Sequence, residues 1–191
     1  MILSNIEIQK AIDEGHLIIT PDPQPRDPGE PNCPYGTTAV DLHLGVDLSI
    51  PQKGSFSFDL RDKGTFAKFL ARTCEPVTIP ETGYPLEPNK FVLGITKERI
   101  ALPLIPGRTL AARIEGKSSV ARCGILVHFT APTVHAGWDG PLALEMINLG
   151  PNRFTLFPGL DIAQLILEFV SGDPAEKPSQ FQGQSKPTGT A

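Results

Sequence analysis

Apolar and polar residues alternate in short runs along most of the chain, and this pattern predicts strands. Residues 37–50, TTAVDLHLGVDLSI, alternate as a half-buried strand or a bent pair of strands does. Many short strands with turn residues between them predict a mainly β protein, either a compact, distorted β-barrel or a jelly-roll-like double sheet. Similar runs, separated by Gly, Pro or Asn, occupy residues 76–80, 90–103, 109–116, 124–134, 142–148, 153–159 and 161–170.

The N-terminal residues depart from this alternation and predict a short amphipathic helix. Ser4 and Glu7 have the spacing of a capping box. Ile8 and Ile12 fall on one helical face, and Gly15 is a natural stop.

Three further segments do not fit the strand pattern. Residues 21–34, PDPQPRDPGEPNCP, contain too many prolines for a helix or a central strand, so we expect a loop. Residues 64–72, GTFAKFLAR, predict an inserted helical turn. The last residues have few apolar side chains and cannot order themselves, so they form either a disordered tail or a segment that folds over something. We therefore expect one domain at 1–172 and a flexible C-terminal tail at 173–191.

Composition and charge restrict the class of protein. A chain of 191 residues with 40% hydrophobic and 20% charged residues is typical of one globular domain. Its formal charge of −4 gives no basic surface for a nucleic-acid polymer. No apolar run approaches the ~20 residues that cross a bilayer, and the N-terminus does not resemble a signal peptide. We expect a cytoplasmic protein without a membrane partner.

The cysteines give no indication of a disulfide framework or a cysteine zinc site. Cys33, Cys74 and Cys123 are odd in number, widely separated and without CxxC spacing. We expect all three to be reduced and structural.

The segment EGKSSVARCG carries the first cluster of polar groups that packing does not explain. Lys117, Ser118, Ser119 and Arg122 supply two cations and two hydroxyls among small residues, which suits an anionic, oxygen-rich ligand. The alternative is a polar turn whose serines cap a short helix.

Glu145 is the second unexplained polar residue. Its neighbours in PLALEMINLG are apolar, so its carboxylate is expected to lose water, which raises the pKa and allows it to accept and donate a proton. The alternative is an outward-facing residue of a half-wet sheet, because LALEMIN also fits strand alternation.

Several blocks in order carry a resemblance to a known family. ARIEGKSSVARCGILVHFTAPTVHAGWDGPLALEMINLGP, TAVDLHLG upstream, PGLDIAQLILE downstream and FQGQSKPTGT at the end are similar to dCTP deaminases, within the family shared with trimeric dUTPases. The likeness runs from the N-terminus to the tail, with local variation in the proline-rich loop and at residues 52–75.

The resemblance implies a fold, a substrate and an assembly. We expect a dUTPase-like (β-clip) barrel and a homotrimer with active sites between subunits. The substrate is dCTP with Mg²⁺ bound through the triphosphate, dTTP is a possible feedback inhibitor, and the tail closes over the nucleotide. The expected product is dUTP for thymidylate synthesis.

The resemblance also implies roles for individual residues. Glu145 is the proton shuttle, Ser118 and the carbonyl of Ala131 hold the attacking water, and Arg122 orients the polar cluster. The backbone around residues 130–134 reads the pyrimidine edge. The remaining substrate contacts are assigned to Lys117, Ser119, Thr130, Thr133, Val134, His135, Gln164, Phe181, Gln184 and Lys186.

A zinc-activated water is not expected. Zinc deaminases use HxE and PCxxC spacing, and the chain has neither around its histidines. The nucleophile is then a water activated by a base, and one carboxyl can serve each proton transfer.

Three positions depart from the family pattern. Lys117 stands where Arg is usual and loses the planar fork, and Phe181 stands where Tyr is usual and loses a hydroxyl. His135 stands where Asp is usual. In dUTPases that Asp activates the water that attacks the α-phosphate, so His135 favours deamination over dUTP hydrolysis; a structural loop histidine is the alternative. A bifunctional enzyme that forms dUMP and diphosphate, and a catalytically silent nucleotide-binding homologue, remain open alternatives.

Overall fold

The computed structural model describes residues 1–62 and 64–189. Its first element is helix α1 (Asn5–Asp13), whose N-cap Ser4 accepts a hydrogen bond from the backbone N–H of Glu7 at 3.3 Å. Gly15 follows with φ of +74°, a left-handed conformation that glycine adopts without strain. The predicted N-terminal helix and its capping residue are therefore confirmed.

Strands dominate the rest of the described chain, which confirms the mainly β class with a short N-terminal helix. Helix α2 (Phe66–Thr73) confirms the predicted inserted helical turn, and helix α3 is a single turn at Ser118–Ala121. The strands are β1 (Ile18–Thr20), β2 (Tyr35–Gly36), β3 (Ala39–Pro51), β4 (Cys74–Thr78), β5 (Tyr84–Leu86), β6 (Phe91–Ala101), β7 (Leu110–Gly116), β8 (Ile125–Leu126), β9 (Thr133–Val134), β10 (Asp139–Asn148), β11 (Phe154–Leu156) and β12 (Asp161–Phe169).

The strands form one large curled sheet in which β3 is the central element. The sheet runs in the order β8-β10-β6-β3-β12-β7-β9, with β1, β2 and β4 paired at its sides, and β5 pairs with β11 separately. The first residues of β3 pair with β12, and its later residues pair with β6 and β4. A single strand of 13 residues therefore joins the two halves of the sheet, as expected for the alternating run at 37–50.

One buried carboxylate marks the point where β3 changes partner. Glu98, on β6, is 3% exposed and accepts a hydrogen bond from the backbone N–H of His43 at 2.9 Å. The ring of His43 lies 2.6 Å from Glu98 through Nδ1 and 2.9 Å from Asp161 through Nε2. A buried charge is destabilising unless it is paired, so these contacts stabilise the junction of β3, β6 and β12.

The inner face of the sheet carries the apolar core. Burying each large aliphatic side chain contributes about 1.5–3 kcal/mol, so this face dominates the stability of the fold. Fully buried members include Leu42, Leu44, Ile100, Leu144, Met146 and Leu165. All three cysteines are free thiols. Within the described residues, no helix has the length and apolar character needed to span a membrane.

Two strand predictions need correction. Residues 124–134 were expected to form one strand, but only Ile125–Leu126 and Thr133–Val134 pair, and the residues between them leave the sheet. Pro132 cannot donate to a ladder, which opposes continuous pairing through this segment. The short strands β1, β2 and β5 were not predicted, and β1 lies within a stretch expected to be helix or loop.

Candidate active site

Glu145 lies in the middle of β10, on the side of the sheet opposite the core. The residues of β10 alternate between buried and half-buried positions, and Glu145 is one of the half-buried residues. It stands opposite Leu93 of β6, which is buried. Burial raises the pKa of the Glu145 carboxyl above its ordinary value, while the backbone N–H groups of Glu145 and Phe129 and the nearby ring of His128 lower it. Glu145 therefore lies on the outward face, as the half-wet-sheet alternative has it, and it is partly desolvated there.

A cavity of about 800 Å³ opens beside Glu145. Its size is in the range of pockets that enclose small molecules. Much of its wall is apolar and comes from three sources: the outer face of β10 and β6, residues 131–138, and the C-terminal tail. Leu70 of α2 and Val170 also contribute to the wall. Leu70 was not singled out in the sequence, because nothing in residues 64–72 indicates which element α2 contacts.

Several residues predicted from the resemblance line this cavity with Glu145. They belong to the segment after β8 and to the tail, which are far apart in sequence. They are Ala131, Thr133, Val134, His135, Phe181 and Gln184. Thr130 is exposed and is not part of the lining.

The predicted polar segment at 117–122 lies elsewhere on the subunit. Ser118, Ser119 and Arg122 are exposed, and neither they nor Lys117 line the cavity of this single chain. The capping alternative is wrong, because Lys117 is the N-cap of α3 and no side chain caps the helix. The hydroxyls of Ser118 and Ser119 therefore have no capping role.

Lys117 instead belongs to a polar group on the other half of the sheet. Its Nζ forms an ion pair with Asp41 of β3. Gln164 of β12 stands opposite Asp41 on one side and Glu115 of β7 on the other. Lys117 and Gln164, both predicted to contact phosphates, are thus neighbours, and neither lines the cavity beside Glu145.

The described part of the tail covers the cavity. The backbone N–H of Gly183 donates to the carbonyl of Asp139 at 3.0 Å, and the side chain of Gln184 donates to the carbonyl of Pro141 at 2.9 Å. Gln184 is 5% exposed. Lys186 forms an ion pair of 2.9 Å with Asp47 outside the cavity wall. These contacts give an otherwise polar segment a defined path over Glu145.

His128 is a partly buried histidine in which only one ring nitrogen has a hydrogen-bond partner among the described residues. Its Nε2 lies 3.2 Å from Oε2 of Glu115. Its Nδ1 is buried and has no hydrogen-bond partner among the described residues. Trp138 donates its indole N–H to the carbonyl of Gly140 at 2.8 Å and packs against the core, and it also lines the cavity.

Known proteins resemble this chain over nearly its full length. The dCTP deaminase-like family matches residues 2–170. A dCTP deaminase of Marinomonas sp. is 32% identical over 190 residues, which are 97% of this chain and 92% of that protein. A dUMP-forming dCTP deaminase of Corynebacterium kroppenstedtii is 34% identical over 197 residues, with 98% of this chain and 95% of that protein covered.

A solved structure shares the fold. The crystal structure of 2'-deoxycytidine 5'-triphosphate deaminase from Agrobacterium tumefaciens aligns with a TM-score of 0.63 at 21% identity. The alignment covers 88% of this chain and 48% of that chain, so this chain spans about half the length of the Agrobacterium protein. With the family match over residues 2–170 and relatives above 30% identity, these findings show that the chain belongs to the dCTP deaminase-like family.

Proposed function

We propose that the chain is a cytoplasmic dCTP deaminase that converts dCTP to dUTP and ammonia without zinc, with Glu145 as its proton carrier. The observation that carries the proposal is a partly desolvated carboxyl in the wall of a cavity of about 800 Å³, large enough for a small molecule. Relatives named dCTP deaminase support the substrate class.

The raised pKa of Glu145 suits the chemistry of deamination. Its carboxylate takes a proton from the attacking water as oxygen bonds to C4 of cytosine, and it then gives that proton to ring nitrogen N3. A second proton passes from the new hydroxyl through Glu145 to the amino group, and the C4–N bond breaks to release ammonia. A carboxyl with a pKa moved toward neutrality can both accept and donate these protons. We assign the positioning of the water to the carbonyl of Ala131 and the hydroxyl of Ser118.

The active site is proposed to form between subunits of a homotrimer. Glu145 and Ala131 line the cavity, whereas Ser118 of α3 and Arg122, the C-cap residue of α3, are exposed and do not line it within one chain. A closed ring built from one heterologous interface would bring α3 of one subunit to the cavity of the next. Arg122 would then orient the polar groups near the amino group of the substrate.

The triphosphate is proposed to bind Lys117, Ser119 and Gln164 of the neighbouring subunit, with Gln184 and Lys186 of the tail. Within the described residues, no three His, Cys, Asp or Glu side chains are placed to hold a metal ion. Mg²⁺ typically binds through one or two carboxylates and substrate phosphates, and Asp41 beside Lys117 offers one such carboxylate. The donor set therefore fits an ion that enters with the nucleotide and neutralises phosphate charge.

Further assignments concern recognition of the nucleotide and its inhibition. The backbone at residues 130–134 is proposed to read the pyrimidine edge, and His135 to contact the sugar hydroxyl. We propose dTTP as a feedback inhibitor, because it shares the deoxyribose and triphosphate of the substrate and has no amino group to lose.

A dUMP-forming enzyme is the second candidate function. It is favoured by the relative from Corynebacterium kroppenstedtii, which is named dUMP-forming. It is opposed by His135, which replaces the Asp expected to activate water for attack on the α-phosphate. Analysis of the products from dCTP and Mg²⁺ by anion-exchange chromatography decides between them. We expect dUTP and ammonia; dUMP with diphosphate would support the second candidate, and bound but unchanged dCTP would support a silent nucleotide-binding protein.

The tail contacts predict a further effect on substrate binding. Replacement of Gln184 by alanine removes its hydrogen bond to Pro141 and leaves that partly buried carbonyl without this donor. A lost hydrogen bond of this kind costs about 1–1.5 kcal/mol, which corresponds to a KM for dCTP raised about tenfold. Gln180→Ala is the matched control, because Gln180 is exposed and outside the cavity wall. Equal KM values for the two variants would contradict the role of the tail.

A further inference from the structure

Glu115 lies on β7, close to the cavity but outside its wall. Its carboxylate accepts a hydrogen bond from the His128 ring, with 3.2 Å between Oε2 and Nε2. An ionised carboxylate can only accept hydrogen bonds, so Nε2 of His128 carries the proton of this contact. Because Glu115 of β7 holds Nε2, the Nδ1 side of the imidazole faces away from β7.

His128 lies near Glu145. Strand β8 pairs with β10 so that Leu126 faces Ile147. The chain leaves this ladder after Leu126, and the next residues, including His128, continue from there alongside β10. The backbone N–H of Phe129, the residue after His128, donates to the Glu145 carboxyl, which brings the His128 segment beside that carboxyl. The charge of the His128 ring accordingly lowers the pKa of Glu145.

The second ring nitrogen of His128 is buried without a partner. Nδ1 makes no hydrogen bond among the described residues. A buried polar atom without a hydrogen-bond partner is destabilising, so a purely structural histidine is expected to have both nitrogens paired. The unpaired state of Nδ1 is explained if this nitrogen acquires a hydrogen-bond partner during the reaction.

We propose that Glu115 is a positioning residue for deamination: by holding Nε2, it fixes the imidazole of His128 beside Glu145 with Nδ1 available to the catalytic carboxyl. This inference rests on the proposed function of Glu145. When Glu145 is protonated, its O–H can donate to Nδ1. When that proton moves to Nδ1, it leaves a carboxylate on Glu145 and an imidazolium paired with the carboxylate of Glu115.

This arrangement stabilises the ionised form of Glu145, which is the form that accepts a proton from water. Burial opposes that form, and the ring of His128 counteracts the effect of burial. Loss of the Glu115 charge weakens the support for the imidazolium and makes ionisation of Glu145 harder. The other titratable groups in the cavity wall are His135, Glu176 and Lys177.

Glu115→Gln tests the proposal by two independent measurements. The first is the pH profile of kcat for dCTP, whose rising limb is expected to move to higher pH by about half to one unit. Over that limb, kcat falls about three- to tenfold at a fixed pH while KM stays within about twofold. The second is a ¹³C NMR titration of the Glu145 carboxyl in protein without substrate. The midpoint of this titration is also expected to move to higher pH.

Glu168→Gln is the matched control. Glu168 is a half-buried glutamate on the neighbouring strand β12, paired with Arg113 at 2.9 Å. Its side chain is 36% exposed and that of Glu115 is 38% exposed, so each variant removes one similar carboxylate from the same sheet. Glu168 does not line the cavity, and its variant is expected to keep the wild-type profile.

His128→Gln provides a second variant if Glu115→Gln does not fold. This variant is expected to move the pH profile and the Glu145 titration to higher pH, as Glu115→Gln does. Because Glu115 acts through His128, the double variant is expected to move them no further than the single variant with the larger effect. An unchanged Glu145 titration in both single variants, or additive shifts in the double variant, would overturn the proposal. Wild-type protein without dCTP turnover would overturn the proposed function instead, and the NMR titration would still decide the contact.

Discussion

Replacement of Glu145 by glutamine is expected to lower the kcat for dCTP by at least about a thousandfold, because one carboxyl serves every proton transfer in the proposed reaction. Glutamine keeps the size and hydrogen-bonding oxygen of the side chain, so the affinity for dCTP with Mg²⁺ is expected to stay within about threefold of wild type. Calorimetric binding and ammonia release measure the two quantities separately. Normal turnover by the variant would exclude Glu145 as the shuttle.

The same variant has an expected effect on stability that does not depend on activity. The folded chain holds the Glu145 proton to higher pH than the unfolded chain, because burial raises the pKa. The stability contributed by this proton is present below the ordinary carboxyl range and is lost as pH rises through the raised pKa. Glutamine does not titrate. The Tm of Glu145→Gln relative to wild type is therefore expected to increase with pH across that window, and a constant difference would contradict the burial of this carboxyl.

The main features of the fold followed from local patterns. Ser4 and Glu7 specified the start of α1, and alternation specified the long strand β3. Apolar neighbours were enough to predict that Glu145 loses water, because on a strand whose neighbours are buried a single carboxyl has little access to solvent. These properties depend on residues close together in sequence.

Other features of the candidate site depend on residues distant in sequence and were not predictable in this way. Residues 124–134 alternate like a strand, but pairing stops after Leu126 and frees the chain to line the cavity. The contact of His128 with Glu115 and the contribution of Leu70 to the wall follow from how β7, β8 and α2 are arranged in space. Alternation specifies the face of a strand and does not identify its neighbours.

The separation of the predicted site into two groups has a consequence for assembly. Glu145 lines the cavity, and Arg122 is exposed at the C-terminal end of α3, outside the cavity wall. In the proposed homotrimer, the two residues of one site come from different subunits. Arg122→Ala is expected to lower kcat about a hundredfold or more, since it removes a charge that orients the reacting groups, although Glu145 in the same chain is intact.

Co-expression of Glu145→Gln and Arg122→Ala chains with different affinity tags is expected to restore activity. In a ring, each site takes Glu145 from one subunit and Arg122 from the next, so random mixing gives about a quarter of sites with both native residues. Purification over both tags isolates the mixed assemblies, whose kcat per subunit is then compared with wild type. Glu145→Gln mixed with the double variant is the control and is expected to stay inactive, because no chain in it carries Glu145. Mixed assemblies as inactive as their parents would place both residues in a site within one chain, because in such a site every chain of the mixture lacks one of the two groups.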